Sequence, residues 1–409
     1  CKIAEIVVVG GVRRSALLSL SDIDDDEMRY AKSGEWWKDN AQRALANNSA
    51  NYHDIPPTGT FLREWTSLYE SKSGERGLFS SKASGVQAKK HSDRFVNQDI
   101  HAFGTNPCSE IILRSREFCN LSEVVIRSDD KIPDIAEKVR LATILGTIQS
   151  TLTNFKYLPR EWVKNCDEER LLGVSLTGIM DNKLTANPKP EELEQLRSIA
   201  IETNVKYASD IGINPSASIT CVKPSGTVSQ LVDSASGIHS RHSPYYIRRV
   251  RMDSKDPLTA YMKDLEWHWE EDVTKPNDTV VFSFPVKSPK DCITRDDRSA
   301  IAQLETWKTY QEHWCQHKPS ITITVREEEW LDVGAWVLRN FDVMSGVSFL
   351  PHSDHTYKQA PYEECDKKTF KELGNMICEA NWSDLSQYEE EDYTTASQEL
   401  ACVAGACEI

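Results

Sequence analysis

The chain has 409 residues, 39% of them hydrophobic and 27% charged, and a formal net charge of -15. That length is enough for two or three domains or one large α/β barrel, and the acidity argues against nucleic acid or an anionic membrane as the main partner. No stretch approaches the roughly 18 apolar residues of a membrane span and no signal peptide opens the sequence. The expected setting is therefore cytoplasmic and reducing, where the 11 cysteines act as core residues, metal ligands or redox catalysts.

The sequence begins at Cys1 and runs at once into an apolar segment. Two readings of that start stand: a fragment record, or a cysteine made N-terminal by protein splicing. Residues 3–11, IAEIVVVGG, read as a strand ending in a Gly-Gly turn, and 13–22 as a second short apolar segment. Residues 22–50 are polar and helix-capable, with aspartates at the start. Residues 58–77 read as a helix closed by a turn, and 119–126, CNLSEVVI, as a strand. Apolar residues recur at helical spacing over 132–155, and 189–212 reads as another helix with a glycine stop. Residues 216–232, SASITCVKPSGTVSQLV, predict a strand, a tight loop and a helix start. Residues 319–330, PSITITVREEEW, predict a strand leading into a helix. Strands alternating with helices predict an α/β fold with a largely parallel sheet. From about Pro361 the chain turns acidic, and the polar run from Ser383 predicts a mobile tail.

The chemistry concentrates at residues 104–124, GTNPCSEIILRSREFCNLSEV. Pro107 stiffens the backbone before Cys108, with Asn106 and Glu110 two positions away on either side. In an extended segment these three side chains share one face: a thiol, an amide and a candidate base. That triplet suits hydrogen abstraction from a polyhydroxylated carbon skeleton. Cys119 follows eleven residues on. With a turn near Leu113 and Arg114 it lies across from Cys108 at about 5 Å between Cβ atoms, a separation that also permits a disulfide; pairing with another cysteine is the alternative. Cys402 and Cys407, near the end of the tail, have no packing role and suit thiol–disulfide exchange. Pro224, Ser225, Gly226 and Thr227 form a small-residue loop before a helix, able to hold phosphate. Asn47, Asn48 and Ser49 could hydrogen-bond a sugar or phosphate, or cap a helix. The run from Tyr245 to Arg251, YYIRRVR, reads as an ion-paired core strand rather than an anion site. The histidines have no metal-ligand spacing, so no metal ligands are assigned.

Taken together, NPCSE, FCNLSE, KPSGTVSQL, GIHSRHSPYYIRRVR, RLLGVSLTGIMD, QAPYEEC and the terminal CVAGAC resemble ribonucleotide reductases. The type most resembled is the monomeric, adenosylcobalamin-dependent (class II) ribonucleoside-triphosphate reductase. The likeness runs from Val7 to the C-terminus, in order, and covers about the C-terminal half of such an enzyme. It implies part of a ten-stranded α/β barrel with a central finger loop over residues 1–385, and a flexible redox-shuttle tail over 386–409. It implies Cys108 as the thiyl-radical cysteine that takes the 3′ hydrogen of the ribose, Glu110 as the base for the 3′ hydroxyl, and Asn106 as the residue that holds the substrate hydroxyls. Cys119 becomes one half of the reducing dithiol, its partner lying in an N-terminal segment not in this chain. Cys402 and Cys407 become the shuttle that thioredoxin or a similar dithiol serves. Pro224 to Thr227 with Asn48 and Ser49 become the substrate pocket for a ribonucleoside triphosphate, and adenosylcobalamin the cofactor. Gly74-Glu75-Arg76-Gly77 stands where the family has Gly-Glu-Pro-Gly, so Arg76 replaces a turn proline. Two further readings remain: a diphosphate reductase large subunit needing a separate radical-generating subunit, and an inactive nucleotide-binding fragment. A lone fragment of this kind is expected to expose strand edges and to be poorly soluble.

Overall fold

Strands and helices alternate along most of the chain in a computed structural model that describes residues 8–9, 12–13, 16–91, 99, 102–273, 276–352 and 358–389. Cys1, Cys402 and Cys407 lie outside the described residues. Eight strands build the main layer: β1 (Leu17–Asp22), β2 (Ala46–Tyr52), β3 (Gly77–Ser80), β4 (Asn120–Val125), β5 (Leu172–Thr177), β6 (Thr220–Cys221), β7 (Thr322–Val325) and β8 (Gly346–Pro351). β1, β2 and β3 run parallel. β3 meets β8 antiparallel, Leu78 opposite Val347, and β8 continues parallel to β7. A parallel bridge between Val222 and Pro319 joins this sheet to β6, β5 and β4, again parallel. The order β1-β2-β3-β8-β7-β6-β5-β4 is thus two parallel groups meeting head to tail at one antiparallel seam, a partial α/β barrel whose described edges are β1 and β4.

The sequence pattern explains most of this. β5, LGVSLT, is buried at every position, as expected for a parallel strand covered on both faces. The helix Ile132–Gln149 starts where the Lys131 N–H donates to Asp134 Oδ2 at 2.8 Å, and it packs on β4, β5 and the helix Pro190–Ile211. That second helix opens on a proline and closes at Gly212, whose φ of 75° is the left-handed stop its sequence promised. The helix Ala300–His313 carries Trp307 and Tyr310 into the core, and Trp314 follows them. Their burial contributes on the order of 2–3 kcal/mol each. The indole of Trp307 donates to the Pro319 carbonyl at 2.7 Å and that of Trp314 to the Cys221 carbonyl at 2.8 Å. This fixes residues 314–320 against β6.

Three expectations change. Residues 22–50, read as helix-capable, yield only two four-residue helices and a 3₁₀ turn before β2. The segment ANNSANY of β2 is polar where Asn47, Asn48 and Ser49 line a cavity, a tertiary demand that outweighs propensity. A second, antiparallel sheet (Trp269–Glu271, Thr279–Lys287, Tyr245–Asp253 and Tyr362–Glu364) stands beside the barrel. In it Arg249 pairs with Glu363 at 2.6 Å, Arg251 with Asp272 at 2.7 Å, and Arg248 lies over the Tyr362 ring, the ion-paired strand read from YYIRRVR. Finally, the polar run from Ser383 begins as structure: Trp382–Gln387 is a 3₁₀ helix, Trp382 packs on Tyr261 and Trp267, and the Tyr388 hydroxyl donates to Asp264.

Candidate functional site

Between β3 and β4 the chain makes a short hairpin of Gly104–Thr105 and Ile112–Leu113, with Thr105 opposite Ile112. The turn therefore lies at residues 106–111, not near Leu113 and Arg114, and Cys108 sits at its tip rather than across a ladder from Cys119. No disulfide joins Cys108 to Cys119. The tip is tightly folded, not extended. Ser109 N–H donates to the Asn106 carbonyl at 2.9 Å, Ser109 takes a φ of 64°, and Ile111 N–H donates to Asn106 Oδ1 at 2.9 Å. Asn, Pro, Ser and a short polar run are the residues that stabilise such a turn.

The tip enters a cavity of about 290 Å³ walled by β2, β3 and β8, with Pro107, Cys108 and Ser109 on one side and Asn48, Ser49 and Pro224 on others. Four residues assigned from separate stretches of sequence (Cys108, Asn48, Ser49 and Pro224) thus meet at one cavity, and Asn106 and Glu110 belong to the turn that carries Cys108 into it. Cys108 is half-buried at its wall. Asn48 is 2% exposed, and neither its Oδ1 nor its Nδ2 has a hydrogen-bond partner among the described residues. Its amide supports the Glu75 charge without a well-aligned bond, and an unsatisfied buried amide costs about 1–3 kcal/mol, so the cavity offers a polar group room to pair with it. The Ser225 hydroxyl is likewise buried without a partner, while the Ser225 N–H is taken by Ser236 Oγ at 2.9 Å. Gly226 leads into the short helix Thr227–Leu231.

Glu110 lies under the tip, fully buried. Burial pushes its carboxyl above the ordinary range, while its own backbone amide, the Asn106 side chain, Lys223 and Lys318 favour the charged form. Asn106 is close enough for that influence, yet neither Glu110 oxygen has a well-aligned hydrogen bond among the described residues. A carboxylate so poised suits a general base. Cys119 lies at the foot of β4. Gly173 makes room for it: a Cβ there would sit 3.3 Å from Cys119 Sγ and 2.4 Å from Leu121. Burial, then Glu110, Glu117 and Cys166, hold the Cys119 thiol well above its usual range, so it stays protonated. Glu117 and Glu169 share this corner around Arg114. Burial first, then Glu169, raise the Glu117 carboxyl.

Three neighbours were not legible in the sequence. Glu75 accepts from Lys32 at 2.8 Å and from the Asn48 N–H at 3.2 Å, tying the cavity loop to β2. Arg76, in place of the family's proline, is buried and donates to both oxygens of Glu64, at 3.1 and 3.0 Å, and to the Asp22 and Ile23 carbonyls. Arg29 grips the same Glu64. A guanidinium network thus sets the loop that a stiff residue sets elsewhere. His317 is neutral, its pKa pushed down to about 3 chiefly by burial. Its Nδ1 accepts from the Ile112 N–H at 3.2 Å and its Nε2–H donates to the Leu172 carbonyl at 3.0 Å, so it bolts the hairpin base to β5. The only signal for it was a histidine just ahead of an apolar strand.

No family model matches the chain. Curated relatives do. Proteins named adenosylcobalamin-dependent ribonucleoside-triphosphate reductase from Lactobacillus acidophilus, Levilactobacillus brevis and Lactobacillus leichmannii are each 27% identical to it, over 450, 453 and 457 aligned positions. This chain resembles that family over its whole length. The alignments take in 100% of this chain and 58% of each relative, so it spans little more than half their length. A crystal structure of a B12-dependent (class II) ribonucleotide reductase superposes with a TM-score of 0.73 at 24% identity, covering 92% of this chain and 56% of that one. The alpha subunit of the class Id ribonucleotide reductase of Actinobacillus ureae gives 0.55 at 12% identity, covering 82% and 70%. The fold is part of the ribonucleotide reductase fold. No helix among the described residues is long and apolar enough to cross a membrane.

Proposed function

We propose that this chain carries the catalytic wall of a ribonucleoside-triphosphate reductase acting in the cytoplasm to supply DNA precursors. One observation carries the reading: a half-buried thiol, Cys108, enters a polar cavity in which a buried Asn48 amide lacks a partner. Cys108, as a thiyl radical, takes the 3′ hydrogen atom, forming S–H and leaving a carbon radical. Glu110 accepts the 3′ hydroxyl proton, and Asn106 holds the tip and the substrate hydroxyls. The 2′ hydroxyl leaves as water on one proton of the Cys119 pair, C2′ takes the hydrogen that replaces it from the same pair, and Cys108 then returns its hydrogen atom to C3′ and becomes the thiyl radical again. Cys119 and a second thiol outside this chain supply two electrons and end as a disulfide. Cys402 and Cys407, on a tail from residue 386, return that pair to thiols and are themselves reduced by thioredoxin or a similar dithiol. Asn48, Ser49 and the Pro224–Thr227 loop bind the ribose and phosphates.

Adenosylcobalamin, when bound, supplies the first radical through homolysis of its cobalt–carbon bond. The site fits such a source because Cys108 is half-buried at the cavity wall and not in the core, where a radical source brought to that wall would reach its sulfur. The test supplies the chain with the N-terminal portion its relatives carry, adenosylcobalamin, a ribonucleoside triphosphate and dithiothreitol. Deoxynucleotide should form, and Cys108→Ser should lower turnover by about 10³-fold or more without changing the unfolding temperature. Turnover that survives in Cys108→Ser overturns the assignment.

A further inference from the structure

Lys318 is fully buried, and no step above uses it. Its ammonium donates to Thr105 Oγ1 and to Ser109 Oγ, each at 3.1 Å. These hydroxyls belong to residues on either side of Cys108. The Lys318 N–H also donates to the Glu110 carbonyl at 3.0 Å, and the ammonium lies 4.6 Å from the centroid of the Phe79 ring. Gly346 leaves the space for this arrangement: a Cβ there would fall 2.4 Å from Ser109 Oγ and 3.5 Å from Lys318 Nζ.

The hairpin's other ties are two residue pairs, the turn bond from Ser109, the Ile111 N–H donating to Asn106 Oδ1 at 2.9 Å, the Thr105 hydroxyl donating to the Ile111 carbonyl at 2.8 Å and a long 3.4 Å bond from the Asn47 amide to the Pro107 carbonyl; none of these is charged. His317 anchors its base separately. A lysine is a costly core residue; burial lowers its pKa to about 7, with Glu110 opposing. An apolar side chain would fill the same space without that cost, but it could not reach both hydroxyls.

We propose that Lys318 positions Cys108, clamping the finger tip through Thr105 and Ser109 so that the thiol keeps its place at the cavity wall. The inference deepens the reading of Cys108 as the reacting thiol and rests on it. Lys318 acts through the tip and touches no substrate.

The experiment measures alkylation of Cys108 by iodoacetamide in the full chain, read by peptide mass spectrometry and normalised to the exposed Cys378. In Lys318→Ala the normalised rate should rise about tenfold, the loss expected when charge-assisted hydrogen bonds go. Ethylammonium, filling the space left by the side chain, should bring it back. A rate that stays at the wild-type value overturns the proposal, as does a raised rate that ethylammonium leaves unchanged. If circular dichroism finds Lys318→Ala unfolded, Ser109→Ala replaces it, which keeps the lysine and removes one acceptor. Its rate should rise by a smaller factor, and an unchanged rate overturns the proposal. No nucleotide enters the measurement, so a chain that reduces none still answers it, and the reductase reading stands or falls separately.

Discussion

Two buried polar clusters flank the cavity, and they differ in one respect. Around Glu64, the guanidinium groups of Arg29 and Arg76 satisfy both carboxylate oxygens. Around the finger tip, Asn48, Glu110 and Ser225 present polar atoms with no partner among the described residues. The first cluster is complete as it stands and serves the fold. The second leaves buried polar atoms open, those of Asn48 at the cavity itself, and on the proposed reading it serves binding. Satisfaction of polar groups separates scaffold from site here better than burial does, because both clusters are equally buried.

Breaking the complete cluster should hurt stability most. Arg76→Ala leaves the Glu64 charge half paired and frees two carbonyls, and it should cost about 3 kcal/mol in urea unfolding. A loss below about 1 kcal/mol would mean that the network is ornamental. Breaking the incomplete cluster should do the reverse. Asn48→Ala removes no well-aligned side-chain hydrogen bond, only the amide's weaker support of the Glu75 charge, so stability should change by less than about 1 kcal/mol, while KM for the nucleotide rises about tenfold. A drop in stability with KM unchanged would move Asn48 to the scaffold. The smallest effect tests the corner behind Cys119, where burial and Glu169 raise the Glu117 carboxyl. Below the ordinary carboxylate range, folded and unfolded chains both hold that proton and the contribution to stability is full. As pH rises, only the folded chain holds it, so stability falls until the raised value is passed. Glu117→Gln should flatten that part of the profile; an unchanged slope would place the proton elsewhere.

The contrast also explains what the sequence could reveal. Cys108, Glu110 and Asn106 were legible because their roles are packed into five consecutive residues. Asn48, Ser49 and Pro224 were legible singly as possible sugar or phosphate contacts, but that they belong to one pocket came only from the resemblance, since nothing local says that β2 and the loop after β6 meet. The turn was misplaced because the apolar run at Ile111 and Ile112 looks like the middle of a strand. In fact it is where the hairpin turns back onto His317 and Lys318, some 200 residues away in sequence. Arg76 read as a departure from pattern. Its meaning lies in Glu64 and Arg29, which only the fold brings to it.

The most direct test is a structure of the chain, joined to the N-terminal portion its relatives carry, with a ribonucleoside triphosphate bound. The ribose C3′ should lie within about 3.5 Å of Cys108 Sγ, with the Asn48 amide hydrogen-bonded to the nucleotide. A nucleotide bound elsewhere, or a ribose turned away from that sulfur with Asn48 still unpartnered, would contradict it.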